Sequence, residues 1–266
     1  MVVNPRWTAP RVRAQKGKHR IAMLTAYDFT MARLMDEAGV PMILVGDSLG
    51  MAVLGFENTL PVTLEQMLHH SAAVRRGAAS AMVIADLPFL TYQVSVSDAV
   101  LNAGRCIKEA GVDGVKLEGG EVRAPHVRAL VENGIPVLGH IGLLPQSVHA
   151  MGGFRVQGKT ESDVERLIRD AQALEEAGVF ALVLEGMPSD AARRITEAIR
   201  VPTIGIGAGP HCDGQVLVVN DLLGLTERPP KFAKKYVDMR AAMQQAFGAY
   251  KADVESGAFP APEHEY

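Results

Sequence analysis

The chain has 266 residues, 48% of them hydrophobic, and 27 Lys and Arg set against 30 Asp and Glu give a formal net charge of −3. That balance excludes a general affinity for nucleic acid, and no apolar run approaches the length of a membrane span. The two cysteines, Cys106 and Cys212, stand far apart without metal-ligand or C-x-x-C spacing and fit a reducing cytoplasm.

The N-terminal stretch is basic (Arg6, Arg11, Arg13, Lys16, Lys18, Arg20) but lacks the apolar core of a signal peptide. It reads as a solvated lead-in to a first strand over 21–26. Thr30 is placed to cap a helix running to Glu37 and Ala38, and Gly39 to end it in the left-handed region. This helix-to-strand joint recurs as Glu37-Ala38-Gly39-Val40, Glu109-Ala110-Gly111-Val112 and Glu176-Ala177-Gly178-Val179. A joint repeated along the chain means serial βα units and a parallel sheet.

Strands are expected over 21–26, 42–46, 81–85, 114–117, 136–141, 180–184, 203–206 and 216–219. Eight such strands with helices between them predict a (β/α)8 TIM barrel, one domain over 1–266. No G-x-G-x-x-G follows the first strand, which argues against a Rossmann domain. Two connections are long, 49–63 and 142–160. The first leads into a helix with a capping box at Thr63 and Gln66, and the second reads as a lid. A basic helix over 231–250 and a Pro-rich tail complete the chain.

Three buried-looking strands end in an acid: Met42-Ile43-Leu44-Val45-Gly46 leads to Asp47, Met82-Val83-Ile84-Ala85 to Asp86, and Gly114-Val115-Lys116-Leu117 to Glu118. The carboxyl ends of parallel strands are where ligands bind, and three acids gathered there call for a hard cation such as Mg2+. A 2-oxo acid would supply two further oxygens, and chelation would stabilise an enolate beside its ketone. Taken singly, each acid could instead be a helix cap or loop residue. Lys116 shares a face with Glu118, and serves a substrate carboxylate or simply neutralises the acids. Ser48 bonds a carboxylate or local backbone. Glu185 ends the sixth strand as a lone carboxylate in apolar surroundings, a setting that raises a pKa and suits a base for C–H abstraction. His140 ends the fifth strand and reads equally as a functional or a core histidine. His69 and His70 lie in a helix, where packing explains them. The run Gly205-Ile206-Gly207-Ala208-Gly209 is a weak phosphate-cradle match that close backbone packing explains as well.

In order and at compatible spacing, the blocks Leu24-Thr25-Ala26-Tyr27-Asp28, Val45-Gly46-Asp47-Ser48-Leu49-Gly50, Thr59-Leu60-Pro61-Val62-Thr63, Ala85-Asp86-Leu87-Pro88-Phe89, Val115-Lys116-Leu117-Glu118-Gly119-Gly120, Gly139-His140-Ile141-Gly142-Leu143 and Gly205-Ile206-Gly207-Ala208-Gly209 resemble the ketopantoate hydroxymethyltransferase family. The resemblance implies a barrel of the phosphoenolpyruvate/pyruvate type. It implies that Asp47, Asp86 and Glu118 hold Mg2+, that Asp47, Ser48, Asp86 and Lys116 contact the oxo acid, and that Glu185 accepts the proton. His140 is the second catalytic candidate beside it. It also implies 5,10-methylenetetrahydrofolate as one-carbon donor, 3-methyl-2-oxobutanoate as acceptor, a place in pantothenate biosynthesis and a homo-oligomer, commonly a decamer. His149 stands where Asn is usual, and Gly186-Met187 follows Glu185 where Cys-Val is expected. The alternative reading is a Mg2+-dependent carbon–carbon lyase or phosphonomutase of the related barrels; a catalytically silent scaffold would not need these acids.

Overall fold

A computed structural model describes residues 6–266. Its eight strands pair in sequence order as a closed parallel barrel, β8 returning onto β1. They are β1 (Ile21–Thr25), β2 (Met42–Val45), β3 (Met82–Asp86), β4 (Gly114–Glu118), β5 (Val137–Gly142), β6 (Ala181–Glu185), β7 (Thr203–Ile206) and β8 (Gly214–Leu217). The helices are α1 (Ala9–Arg13), α2 (Phe29–Glu37), α3 (Leu49–Ala52), α4 (Leu64–Gly77), α5 (Val96–Arg105), α6 (Ala124–Glu132), α7 (Val148–Met151), α8 (Glu161–Ala177), α9 (Ser189–Ala198), α10 (Val219–Leu222) and α11 (Met239–Ser256). The chain divides into two compact units, one running to Val218 and one from Val219 to Tyr266.

Alternation along each strand builds the barrel interior. Ile21 and Met23, Met42 and Leu44, Met82 and Ile84, Leu138, Ala181 and Val183, Ile204 and Val216 pack as one buried cluster. Two residues further along the same inward series come Asp86 on β3 and Glu185 on β6, with His140 following Leu138 on β5. Apolar positions thus fill the barrel's lower layers, and the polar groups fall at its carboxyl end. Strands β3 to β6 run one residue beyond their expected ends. The apolar run stops before these polar residues, yet the ladder continues through them, pairing Asp86 with Lys116 and Glu118 with His140.

Strand β8 begins two residues earlier than expected, at Gly214 rather than Val216. A Cβ at Gly214 would sit 2.4 Å from the Ile21 carbonyl oxygen, so glycine here is a close strand contact and not a stop. The N-terminal segment is also not a solvated lead-in. Val12 on α1 is fully buried in the interior cluster, with Trp7 and Ala9 packed against it, so α1 closes the end of the barrel opposite the acids. Arg13, Lys18 and Arg20 remain exposed, while Lys16 is half-buried, its Nζ 2.9 Å from Asp213 Oδ2.

The expected capping box at Thr63 and Gln66 is present. Gly39, Gly111 and Gly178 of the repeated joint all have positive φ, as helix-ending glycines do. Helix α2, however, is capped by Asp28, whose carboxylate accepts from Met31 N at 2.8 Å; Thr30 lies inside the helix.

In the second unit the helix is α11 rather than 231–250. A helix start needs an acceptor for its first free N–H groups, and Asp238 supplies one to Ala241 N at 3.1 Å. The basic residues Lys231, Lys234 and Lys235 therefore precede the helix. None of the residues of α11 is buried. Among the described residues, no helix is long and apolar enough to cross a membrane.

Candidate active site

Strand register assembles the site. Asp86 on β3 and Lys116 on β4 are ladder partners, and Lys116 Nζ lies 2.9 Å from Asp86 Oδ2. Glu118 and His140 are partners on β4 and β5, with His140 Nδ1 3.6 Å from Glu118 Oε1. Lys116 Nζ is 3.7 Å from Glu118 Oε1 and 3.2 Å from His140 Nδ1. His140 Nε2 lies 3.2 Å from Glu185 Oε2 on β6. Asp47, Asp86, Lys116, Glu118 and His140 are all buried, while the Glu185 side chain keeps 18% of its surface exposed.

Burial raises the Asp86 and Glu118 carboxyls, with Lys116 opposing it in both. Burial works against the Lys116 ammonium, but Asp86, Glu118 and Asp47 outweigh it and hold the lysine charged. Burial and then the Lys116 charge lower His140, keeping the imidazole neutral near pH 7. An ammonium only donates, so His140 Nδ1 accepts from Lys116 and the ring proton sits on Nε2, toward Glu185. That last contact is close but not aligned as a hydrogen bond, which leaves Nε2 buried without a well-directed partner.

Glu185 is therefore not the isolated carboxylate that its sequence context predicts; His140 ties it to the lysine and acids across the strands. Its position also shapes the start of the 142–160 connection. Gly142 has φ of 100°, and a Cβ there would come within 2.3 Å of the Glu185 carbonyl oxygen. Only glycine lets the chain turn out of β5 so that Leu143 N donates to that carbonyl at 2.8 Å. Ser48 follows Asp47 at the end of β2, and its Oγ lies 2.9 Å from the Tyr27 hydroxyl rather than on local backbone. His70 Nδ1 meets the Tyr27 carbonyl at 2.7 Å, a packing role for this helical histidine.

Two side chains without a sequence signal complete the arrangement. Gln146, in the 142–160 connection, sends Nε2 to Asp47 Oδ2 at 3.0 Å and to the Leu87 carbonyl at 2.9 Å, while its backbone N–H donates to Glu118 Oε2 at 3.1 Å. Tyr92 donates its hydroxyl to Gln146 Oε1 at 2.8 Å, and the Tyr92 hydroxyl oxygen accepts from Glu118 N at 3.1 Å. A glutamine in a long polar loop looks like any surface residue, and only its 4% exposure marks it out.

Among the described residues, no three His, Cys, Asp or Glu side chains stand close enough to hold one ion as they lie. Mg2+ does not need three: one or two carboxylates with water and substrate oxygens are its usual set. Asp86 Oδ1 and Glu118 Oε1 are buried without a hydrogen-bond partner. Buried carboxylate oxygens left without a hydrogen bond are ones a hard cation can engage, so this donor set fits such an ion.

By fold, the chain is a (β/α)8 barrel, similar to solved structures of which one is described as a member of the phosphoenolpyruvate mutase/isocitrate lyase superfamily. It is similar to phosphoenolpyruvate phosphomutase from Streptomyces platensis subsp. rosaceus, with a TM-score of 0.63 at 15% identity over 94% of this chain and 88% of that one. It is similar also to 2,3-dimethylmalate lyase, described as a member of that superfamily, with a TM-score of 0.63 at 20% identity over 92% and 87% of the two chains. These likenesses establish the fold alone.

The family follows from sequence. The model of the ketopantoate hydroxymethyltransferase family matches residues 6–262. A 3-methyl-2-oxobutanoate hydroxymethyltransferase of Moorella thermoacetica is 58% identical over 100% of both chains. One of Syntrophomonas wolfei is 56% identical over 94% of this chain and 91% of that protein. The chain belongs to the ketopantoate hydroxymethyltransferase family.

Proposed function

We propose that the protein transfers a hydroxymethyl group from 5,10-methylenetetrahydrofolate to C3 of 3-methyl-2-oxobutanoate, giving 2-dehydropantoate for pantothenate biosynthesis. In balance, the methylene carbon bonds to C3, C3 loses a proton, water supplies the new hydroxyl and tetrahydrofolate leaves. The observation that carries this reading is the buried line Asp86–Lys116–His140–Glu185 beside two unpartnered carboxylate oxygens.

Asp47, Asp86 and Glu118 would hold Mg2+. Bound there, the ion would draw electron density from the ketone and acidify the C3 hydrogen. Lys116, kept charged by the acids, is the cation available to a substrate carboxylate, with the Ser48 hydroxyl beside Asp47 as a donor to the same group. Glu185 accepts the C3 proton: it is the carboxylate of the site that retains exposure to the mouth, and an anion there can reach carbon. Neutral His140 stands beside it, with Nε2, which carries the ring proton, 3.2 Å from Glu185 Oε2 and Nδ1 taken by Lys116. The connection 142–160 sits next to Glu185 through Leu143 and serves to exclude water.

Two buried, unpaired cysteines suit a cytoplasmic enzyme. A homo-oligomer, with ten copies the number that the family resemblance implies, is supported by the exposed Met243, Phe247, Tyr250 and Val254 on one stripe of α11.

Exchange of the C3 hydrogen of 3-methyl-2-oxobutanoate in D2O with Mg2+, followed by NMR without folate, tests the base. Wild type should exchange, and Glu185→Gln should be slower by about 10²–10⁴-fold. Exchange at the wild-type rate in the variant would remove Glu185 from this role. Product formation with 5,10-methylenetetrahydrofolate separates the transferase from a lyase or phosphonomutase.

A further inference from the structure

We infer that Gln146 is a positioning residue that presents the site's carboxylates to the cation, held in that task by Tyr92; the inference rests on the metal reading above. Each of the three acids has one oxygen engaged by a protein donor. Asp86 Oδ2 takes Lys116 Nζ and the Asp47 N–H, leaving Oδ1 without a partner. Glu118 Oε2 takes the Gln146 N–H, leaving Oε1 without one. Asp47 takes Gln146 Nε2 on Oδ2. Gln146 thus engages two of the three acids, Glu118 through its backbone and Asp47 through its side chain.

The amide cannot turn over. Its oxygen accepts from the Tyr92 hydroxyl at 2.8 Å and from Gln93 Nε2 at 3.0 Å, so the NH2 end must face Asp47 and Leu87. Tyr92 in turn is anchored on the Glu118 backbone N–H at 3.1 Å. Tyr92 and Gln146 are both buried, and such saturated networks hold one geometry. A carboxylate pinned at one oxygen can rotate only about that contact, which fixes where the other oxygen points. Because Gln146 belongs to the 142–160 connection, the same contact joins the position of that segment to the orientation of Asp47 and Glu118.

Mn2+ binding, read by the EPR signal of the free ion, tests this without turnover. Gln146→Met keeps volume and an unbranched shape but removes the bond to Asp47. The dissociation constant for Mn2+ should rise by about 10–100-fold, as loss of an outer hydrogen-bond partner does at metal sites. Tyr92→Phe, which removes one of the two donors holding the amide oxygen, should weaken binding in the same direction by less. Each effect should shrink in an Asp47→Asn background, where the partner acted upon is gone. A purely structural role would lower the metal-free melting temperature and leave Mn2+ affinity unchanged, and that result in both variants overturns the inference. If wild type fails to bind Mn2+, the metal reading falls and this inference with it; if wild type binds and the variants bind equally, only this inference falls.

Discussion

Lys116 and Asp86 face each other across the β3–β4 ladder at 2.9 Å, with 5% and 1% of their side chains exposed. A buried ammonium so placed is held charged by the acids around it, Asp86, Glu118 and Asp47. Removing one partner of a buried pair strands the other, at a cost of about 3–5 kcal/mol. Lys116→Met should therefore lose about that much stability in urea unfolding without added metal. Saturating Mg2+ should recover more stability in the variant than it adds to wild type, since the ion then supplies the missing charge. A variant as stable as wild type would mean the acids are protonated rather than neutralised by the lysine.

His140 gives the metal-free protein a pH dependence of known sign. Its native pKa is lowered, first by burial and then by Lys116, so below about 6.5 the unfolded chain binds a proton that the native chain does not. Stability attributable to this group is present at neutral pH and is lost as pH falls below that value, by at most about 1.4 kcal/mol per pH unit. The raised carboxyls of Asp86 and Glu118 act in the opposite sense, so the difference between wild type and His140→Asn is the quantity to measure. The variant should lose less stability between pH 7 and 5. His126, lowered by burial and Arg123, provides an independent control.

Neither thiol should react in the folded protein. Burial pushes Cys106 up to about 12 and raises Cys212 as well, and the thiolate is the reactive form. Ellman's reagent at pH 8 should find no thiol in native protein and two after unfolding in urea. Rapid native labelling of Cys106 would show that the turn Cys106–Ala110 opens.

The stripe on α11 should carry self-association. Phe247 and Tyr250 are 64% and 60% exposed, too much apolar surface to leave bare on one helix without a partner. Sedimentation velocity should find wild type as an oligomer and Phe247→Glu with Tyr250→Glu as a smaller species with the same far-UV circular dichroism. A wild-type monomer would remove the oligomer from the proposal.

Much of this barrel is local in origin. The repeated Glu-Ala-Gly-Val joint, the alternation of apolar positions and the stop at each strand's acid are written in short windows, and seven strands lie within one residue of where those windows place them. For the same reason Asp47, Asp86, Lys116 and Glu118 are legible as one cluster, with His140 and Glu185 at the same rim but apart from it: in a parallel barrel every strand delivers its last residues to the same end. What the sequence alone could not decide was which atoms meet. The register of β3 on β4 pairs Asp86 with Lys116, and that of β4 on β5 pairs Glu118 with His140, so the lysine and imidazole link acids that spacing leaves independent. Val12 as a plug and Gln146 as a pin lie in segments with no period to read, where a side chain's role depends on neighbours far away in the chain. Strand-end chemistry is local because backbone geometry repeats; the partners of a loop side chain are tertiary, because only closure of the barrel brings them within hydrogen-bond reach.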